Sequence, residues 1–101
     1  MDWDDYRRWA KDIADWGAQY HKTIRDLPVR AQTKPGDIAA QLADHAPEHG
    51  HDMRDIWNDF QSIVLPGMTH WQHPRFFAYF PANATPPSML AEQVASIMAA
   101  Q

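Results

Sequence analysis

PGMTHWQHPRFFAYFPANATPPS, residues 66–88, packs five prolines, five aromatic rings and two histidines around a single charged side chain, Arg75. Pro74, Pro81, Pro86 and Pro87 each push the preceding residue toward extended backbone, so the stretch reads as a kinked loop. Within it, Phe76 to Phe80 suits a short strand. Thr85 is a good N-cap and Pro86 suits a first helical position, which predicts a helix carrying Leu90, Val94, Ile97 and Met98 on one side. No Gly, Pro or basic turn closes that helix before IMAAQ, residues 97–101, as expected of a polypeptide that continues.

Upstream of the loop, Met53, Ile56, Trp57, Phe60, Ile63 and Val64 fall at i, i+3, i+4, i+7, i+10 and i+11, an amphipathic helix. Asp52 caps it and Pro66-Gly67 ends it. Residues 28–51 form a connector, PVRAQTKPGD to DHAPEHGH, with at most a short helical piece at Asp37 to Ala43. Before Pro28, residues 2–26 read as one long helix, because Trp3, Tyr6, Trp9, Ile13, Trp16, Tyr20, Ile24 and Leu27 recur at steps of three and four. Asp2, Asp4 and Asp5 favour the positive end of its dipole. The mean step, 24 residues over seven intervals or about 3.4, lies near a coiled-coil seam, and a seam so rich in rings calls for a partner helix.

A chain of 101 residues suffices for one small domain. The net charge of −4, with acidic residues spread along the chain, provides no footprint for nucleic acid or an anionic membrane. With no cysteine there is neither a disulfide framework nor a thiolate nucleophile. The acidic start, MDWDDYRRWAKD, is unlike a signal peptide, and no apolar run reaches the ~20 residues of a membrane span. A cytoplasmic location is the resulting expectation.

His70 and His73 lie three apart, yet Pro74 argues against a shared helical face and no third ligand is near, so packing or hydrogen bonding is the expected role. His45, His49 and His51, with Asp44, Glu48 and Asp52, read as a solvated loop cluster whose spacing fits no standard metal site. No nucleophile elbow, phosphate loop or apolar pair of carboxylates is present. The residues alone therefore describe an all-α interaction module of three helices, and leave two readings of the aromatic loop open: core beneath a turn, or a shaped wall for a flat ligand. A free-standing helical dimerisation or adaptor module without catalysis is the alternative to an enzyme.

The signature Pro66, Gly67, Thr69, His70, Trp71, Pro74, Phe76, Phe77, Ala78, Tyr79, Phe80 and Pro81 resembles the N-terminal region of the pyridoxal-phosphate-dependent aromatic-L-amino-acid decarboxylases. The likeness extends more weakly through YRRWAKDIADWGAQY, the KPGD connector and DIWNDFQSIVLPG. It implies the first fifth or so of a longer fold-type I enzyme, with residues 1–84 a helical dimerisation segment that includes the pocket loop 66–84. Residues 85–101 would then start a helix leading into a cofactor domain outside this chain.

The resemblance also implies roles. The first helix would pair antiparallel with its symmetry mate in a homodimer through Trp3, Tyr6, Trp9, Ile13, Trp16 and Tyr20. Trp71, Tyr79, Phe80, Pro81 and Ala82 would line the slot for the substrate's aromatic ring. Where animal DOPA decarboxylases have a Thr after FFAYFP, this chain has Ala82 and then Asn83, which removes one hydroxyl contact to a catechol. Indole, phenyl or a substrate read through Asn83 become equal candidates. Pyridoxal phosphate, the electron sink for the carbanion left by CO₂, would be bound downstream, since Lys11, Lys22 and Lys34 lack the context of a cofactor lysine. The chain alone would be inactive.

Overall fold

The structure is a computed structural model and describes residues 1–80 and 82–100. Helix α1 runs Trp3–Thr23, with the Asp2 carboxylate accepting the Asp5 N–H at 2.8 Å. That bond holds the Asp2 carboxyl below its ordinary range. The periodic stretch then tightens into a 3₁₀ turn, Ile24–Asp26, ahead of Pro28. The connector contains one further 3₁₀ turn, Ala39–Gln41, inside the span where a short helical piece is expected. It begins at a tight turn in which Gly36 has φ +93°, a conformation that favours glycine, while the Asp37 carboxylate accepts the Lys34 N–H at 2.8 Å.

Helix α2, Met53–Asp59, starts where Asp52 accepts the Arg54 N–H at 2.8 Å. It stays α-helical for only seven residues, then widens into a π-turn over Phe60–Val64 and narrows to a 3₁₀ turn over Leu65–Gly67. Pro66 has no N–H to return to the preceding turn, and the Leu65 N–H reaches back to the Phe60 carbonyl. Gly67 is required for space as well, because a Cβ there would lie 2.7 Å from Ile38 Cγ1.

No strand forms among the described residues, which corrects the expectation for Phe76 to Phe80. Tyr79 sits at φ +56°, outside the extended region, and that breaks the run. Helix α3, Pro86–Ile97, has the expected Thr85 cap, completed into a capping box: Ser88 Oγ accepts the Thr85 N–H at 3.1 Å. It closes where sequence offers no stop signal. Ala99 adopts φ +48° and donates to the Ser96 carbonyl, while the Ala100 N–H reaches the Ala95 carbonyl, a Schellman closure with alanine in the usual glycine place.

What holds these pieces together is a set of rings. Trp16 of α1 stacks on Tyr20 and meets Trp57 and Phe60 edge-on, with centroids 5.4, 5.4 and 5.7 Å apart. Such pairs contribute ~0.5–1.5 kcal/mol each beyond the area they cover. Beyond this cluster the core is thin: among the described residues Ile24 is the one buried apolar side chain. All of α3 is exposed, including Leu90, Val94 and Ile97, and so is Met98 at its C-cap. A radius of gyration of 15.9 Å, against about 13 Å for a compact domain of 100 residues, gives the same picture of an open arrangement.

Gly67→Ala is expected to destabilise the fold by about 1–3 kcal/mol through the clash with Ile38. In a urea double-mutant cycle, Ile38→Ala should cancel much of that effect; additive losses would show that the clash is not the cause.

Candidate functional site

The aromatic loop begins from two buried histidines. His70 and His73 are only 6% and 5% exposed, in a chain where most apolar side chains are more open than that. The His70 N–H donates to the Val29 carbonyl at 2.8 Å, which ties the loop to the connector just after α1. His70 Nδ1 and the Tyr20 hydroxyl share a hydrogen bond of 2.8 Å, which ties it to α1 itself. The next turn is built on His73: its N–H donates to the His70 carbonyl at 2.9 Å, and the Phe76 N–H donates to the His73 carbonyl at 2.9 Å.

The Arg75 N–H donates to His73 Nδ1 at 3.0 Å. A backbone N–H can only donate, so the ring proton of neutral His73 sits on Nε2. Hydrogen bonding is thus the role of both histidines. Among the described residues, no three His, Cys, Asp or Glu side chains are grouped to hold a metal ion. His45, His49 and His51 are all exposed, and His45 pairs with Asp44 at 2.6 Å.

From this root the rings rise outward. Trp71 packs against Phe76 at 4.8 Å and Tyr79 at 5.9 Å between centroids, with the planes tilted by 36° and 32°. Phe77, Tyr79 and Phe80 are 90%, 83% and 101% exposed, so no described residue covers their outer faces. The Gln72 side-chain amide donates to the Ala82 carbonyl and draws the far end of the loop back toward its start. Ala82 itself is exposed, and Pro81 lies outside the described residues. The left-handed Tyr79 is a locally unfavourable conformation, of a kind that clusters at ligand-contacting sites. Together these residues form a row of open ring faces on a fixed base, able to take up a flat apolar group.

The residues expected at a dimer seam divide. Trp3 is 84% exposed and Ile13 is also open, while Tyr6 and Trp9 are half-buried. Trp16 and Tyr20 turn inward and put a ring face against Trp57, Phe60 and His70 within the chain. Sequence periodicity placed all six on one stripe and could not separate the two sets, because the separation depends on where α2 crosses.

Lys11, Lys22 and Lys34 are exposed, on α1 and the connector. None of the three stands in the aromatic loop. No helix of the described residues is long and apolar enough to cross a membrane.

An N-terminal helical arm, a loop bearing THW and FFAYF rings, and a capped third helix define a class. Residues 35–101 match the model of the pyridoxal-dependent decarboxylase conserved domain. Phenylacetaldehyde synthase from Arabidopsis thaliana is 38% identical over 96 residues, 95% of this chain and 20% of that protein. Tyrosine decarboxylase 2 from Narcissus pseudonarcissus is also 38% identical over 96 residues, 95% of this chain and 19% of its own length. The crystal structure of 4-hydroxyphenylacetaldehyde synthase from Rhodiola rosea superposes with a TM-score of 0.88 at 38% identity, covering 98% of this chain and 21% of that one. The chain belongs to the pyridoxal-dependent decarboxylase family, and spans about a fifth of the length of these relatives.

Burial lowers the His70 pKa from its ordinary 6.5, with the positive form of His73 adding to the effect, and burial raises that of Tyr20 above 10.0. As pH falls, the unfolded chain takes up the His70 proton first, so the stability tied to His70 is whole above pH 6.5 and is lost below it. For Tyr20 the folded form holds the proton longer, so its contribution is whole below pH 10.0 and falls as pH rises past it. The urea midpoint should therefore drop between about pH 7.5 and 5.5, and drop less in His70→Gln; equal drops would remove His70 as a source.

Proposed function

We propose that this chain forms the dimer clamp and one wall of the substrate pocket in a pyridoxal-phosphate-dependent enzyme that removes the carboxyl group of an aromatic L-amino acid. The observation that carries the reading is the aromatic loop. Trp71 and Phe76 stand on a base of two buried histidines, while Tyr79 and Phe80 present almost their whole rings to the outside. A flat side chain laid on those faces gains area burial and ring contact with little further ordering of the wall. The names of the relatives point the same way, since each acts in aromatic amino acid or aromatic aldehyde chemistry.

In this reading Trp71, Tyr79, Phe80, Pro81 and Ala82 contact the ring. Ala82 offers a methyl group where a hydroxyl would favour a catechol, so the wall selects for flatness more than for ring hydroxyls, and Asn83, next in the chain, is a polar side chain through which a substrate could be read. The cofactor is held by the remainder of the enzyme. Residues 1–84 act as the dimerisation and pocket segment, and residues 85–101 lead into the cofactor domain, which accounts for an α3 whose apolar side chains are all open. The chain alone is inactive.

The enzyme is a cytoplasmic homodimer in this reading, with α1 lying antiparallel to its mate. Trp3, Tyr6, Trp9 and Ile13 make the principal contacts, and Trp16 and Tyr20 add the surface left over from their intrachain packing. Each ring fully covered contributes on the order of 2 kcal/mol, and left uncovered the same rings favour aggregation.

In the full-length enzyme, Tyr79→Ala should raise KM for an aromatic substrate by loss of ~1–3 kcal/mol of contact, with kcat little changed. Unaltered steady-state kinetics would take Tyr79 out of the pocket. Residues 1–101 mixed with equimolar pyridoxal phosphate should leave the cofactor's absorption spectrum unchanged, and a new visible band would place a cofactor lysine within this chain.

A further inference from the structure

Between α1 and the aromatic loop, the described residues contain one side-chain hydrogen bond, from Tyr20 to His70, spanning 50 positions in sequence. The Tyr20 ring is not free to swing: it lies stacked on Trp16 at an interplanar angle of 18°, and Trp16 is held in turn by Trp57 and Phe60. At the other end His70 is buried and immediately precedes Trp71 in the chain. Its carbonyl receives the His73 N–H and the His73 carbonyl receives the Phe76 N–H, each at 2.9 Å. The Phe76 ring then returns to Trp71 at 4.8 Å. A continuous series of hydrogen bonds and ring contacts thus runs from the C-terminal part of α1 to the base of the exposed rings.

We infer that Tyr20 is a positioning residue for the ring slot, setting through His70 where the Trp71–Tyr79 wall stands, so that the helix which joins two subunits also sets the reach of the pocket. This rests on the reading of the loop as a pocket wall. The physical argument is that a short hydrogen bond between two ring-bearing side chains fixes direction as well as distance, whereas apolar packing alone tolerates sliding. A wall displaced by a fraction of an ångström loses ring contact without any contacting residue being altered. The Tyr20 ring meets Trp16, His21 and His70 and none of the exposed rings Phe77, Tyr79 and Phe80, so its route to the wall is through His70.

The test uses the full-length dimeric enzyme and equilibrium binding of 3-phenylpropanoate, a ring-bearing carboxylate that does not react, measured by calorimetry. Tyr20→Phe removes one oxygen and keeps the stack on Trp16. It should raise Kd for this probe about three- to tenfold, the range expected for one net hydrogen bond, while sedimentation still gives a dimer. In turnover the same variant should raise KM more than it lowers kcat. His70→Asn, whose amide oxygen stands close to the place of Nδ1, should bind the probe more tightly than His70→Ala. Tyr79→Ala serves as the control for the pocket itself. If Tyr79→Ala weakens binding and Tyr20→Phe does not, the positioning role is overturned and the pocket stands. If Tyr79→Ala also binds as the parent does, the pocket reading falls and the role of Tyr20 with it. A Tyr20→Phe protein that sediments as a monomer would overturn the inference too, because its loss would then be one of assembly.

Discussion

The fold depends on Trp16. Its indole is the point where the first helix meets the second, stacked on Tyr20 and met edge-on by Trp57 and Phe60, while Tyr20 beside it reaches the root of the aromatic loop at His70. With Ile24 the one buried apolar side chain among the described residues, such ring contacts carry most of what orders α1 against the rest. They are directional, since aromatic faces and edges carry opposite partial charge, and so they set angles that a smooth aliphatic contact would leave loose. That directionality passes to Tyr20, and from its hydroxyl to His70.

The buried histidines solve a local problem. A loop interrupted by prolines lacks the backbone bonds of a helix or sheet, yet its buried polar groups still need partners. His70 and His73 satisfy one another's backbone, capture the Val29 carbonyl and the Arg75 N–H, and leave no buried side-chain nitrogen or oxygen unpaired among the described residues. The result is a firm base under rings that are themselves uncovered. Rigidity below and exposure above suit a surface that receives something flat, because little additional ordering is needed when it does.

The same contrast runs through the whole chain. Trp3 and Ile13 on α1, Phe77, Tyr79 and Phe80 on the loop, and Leu90, Val94 and Ile97 on α3 all lie open. Three separate elements thus show apolar surface in three places. Membership of the pyridoxal-dependent decarboxylase family, together with coverage of about a fifth of its relatives' length, is consistent with that distribution.

Much of this was legible in the residues themselves. Spacings of three and four in residues 3–27 and 53–64 specified two helices, and Asp52 and Thr85 specified where the later helices begin, because periodicity and capping are local properties that depend on neighbours a few positions away. The THW and FFAYFP run, by its fixed types at fixed spacing, identified the family. Tertiary structure decided what lies beyond that local range. It placed Tyr20 against His70 rather than leaving it on an outer stripe, turned Trp16 inward while Trp3 stayed out, widened the second helix before Pro66, and set Tyr79 in a left-handed conformation where its neighbours suggested a strand. Each of these depends on contacts across the fold or on backbone geometry that no spacing pattern encodes, and the 50 residues between a phenol and an imidazole are bridged only once the chain has folded.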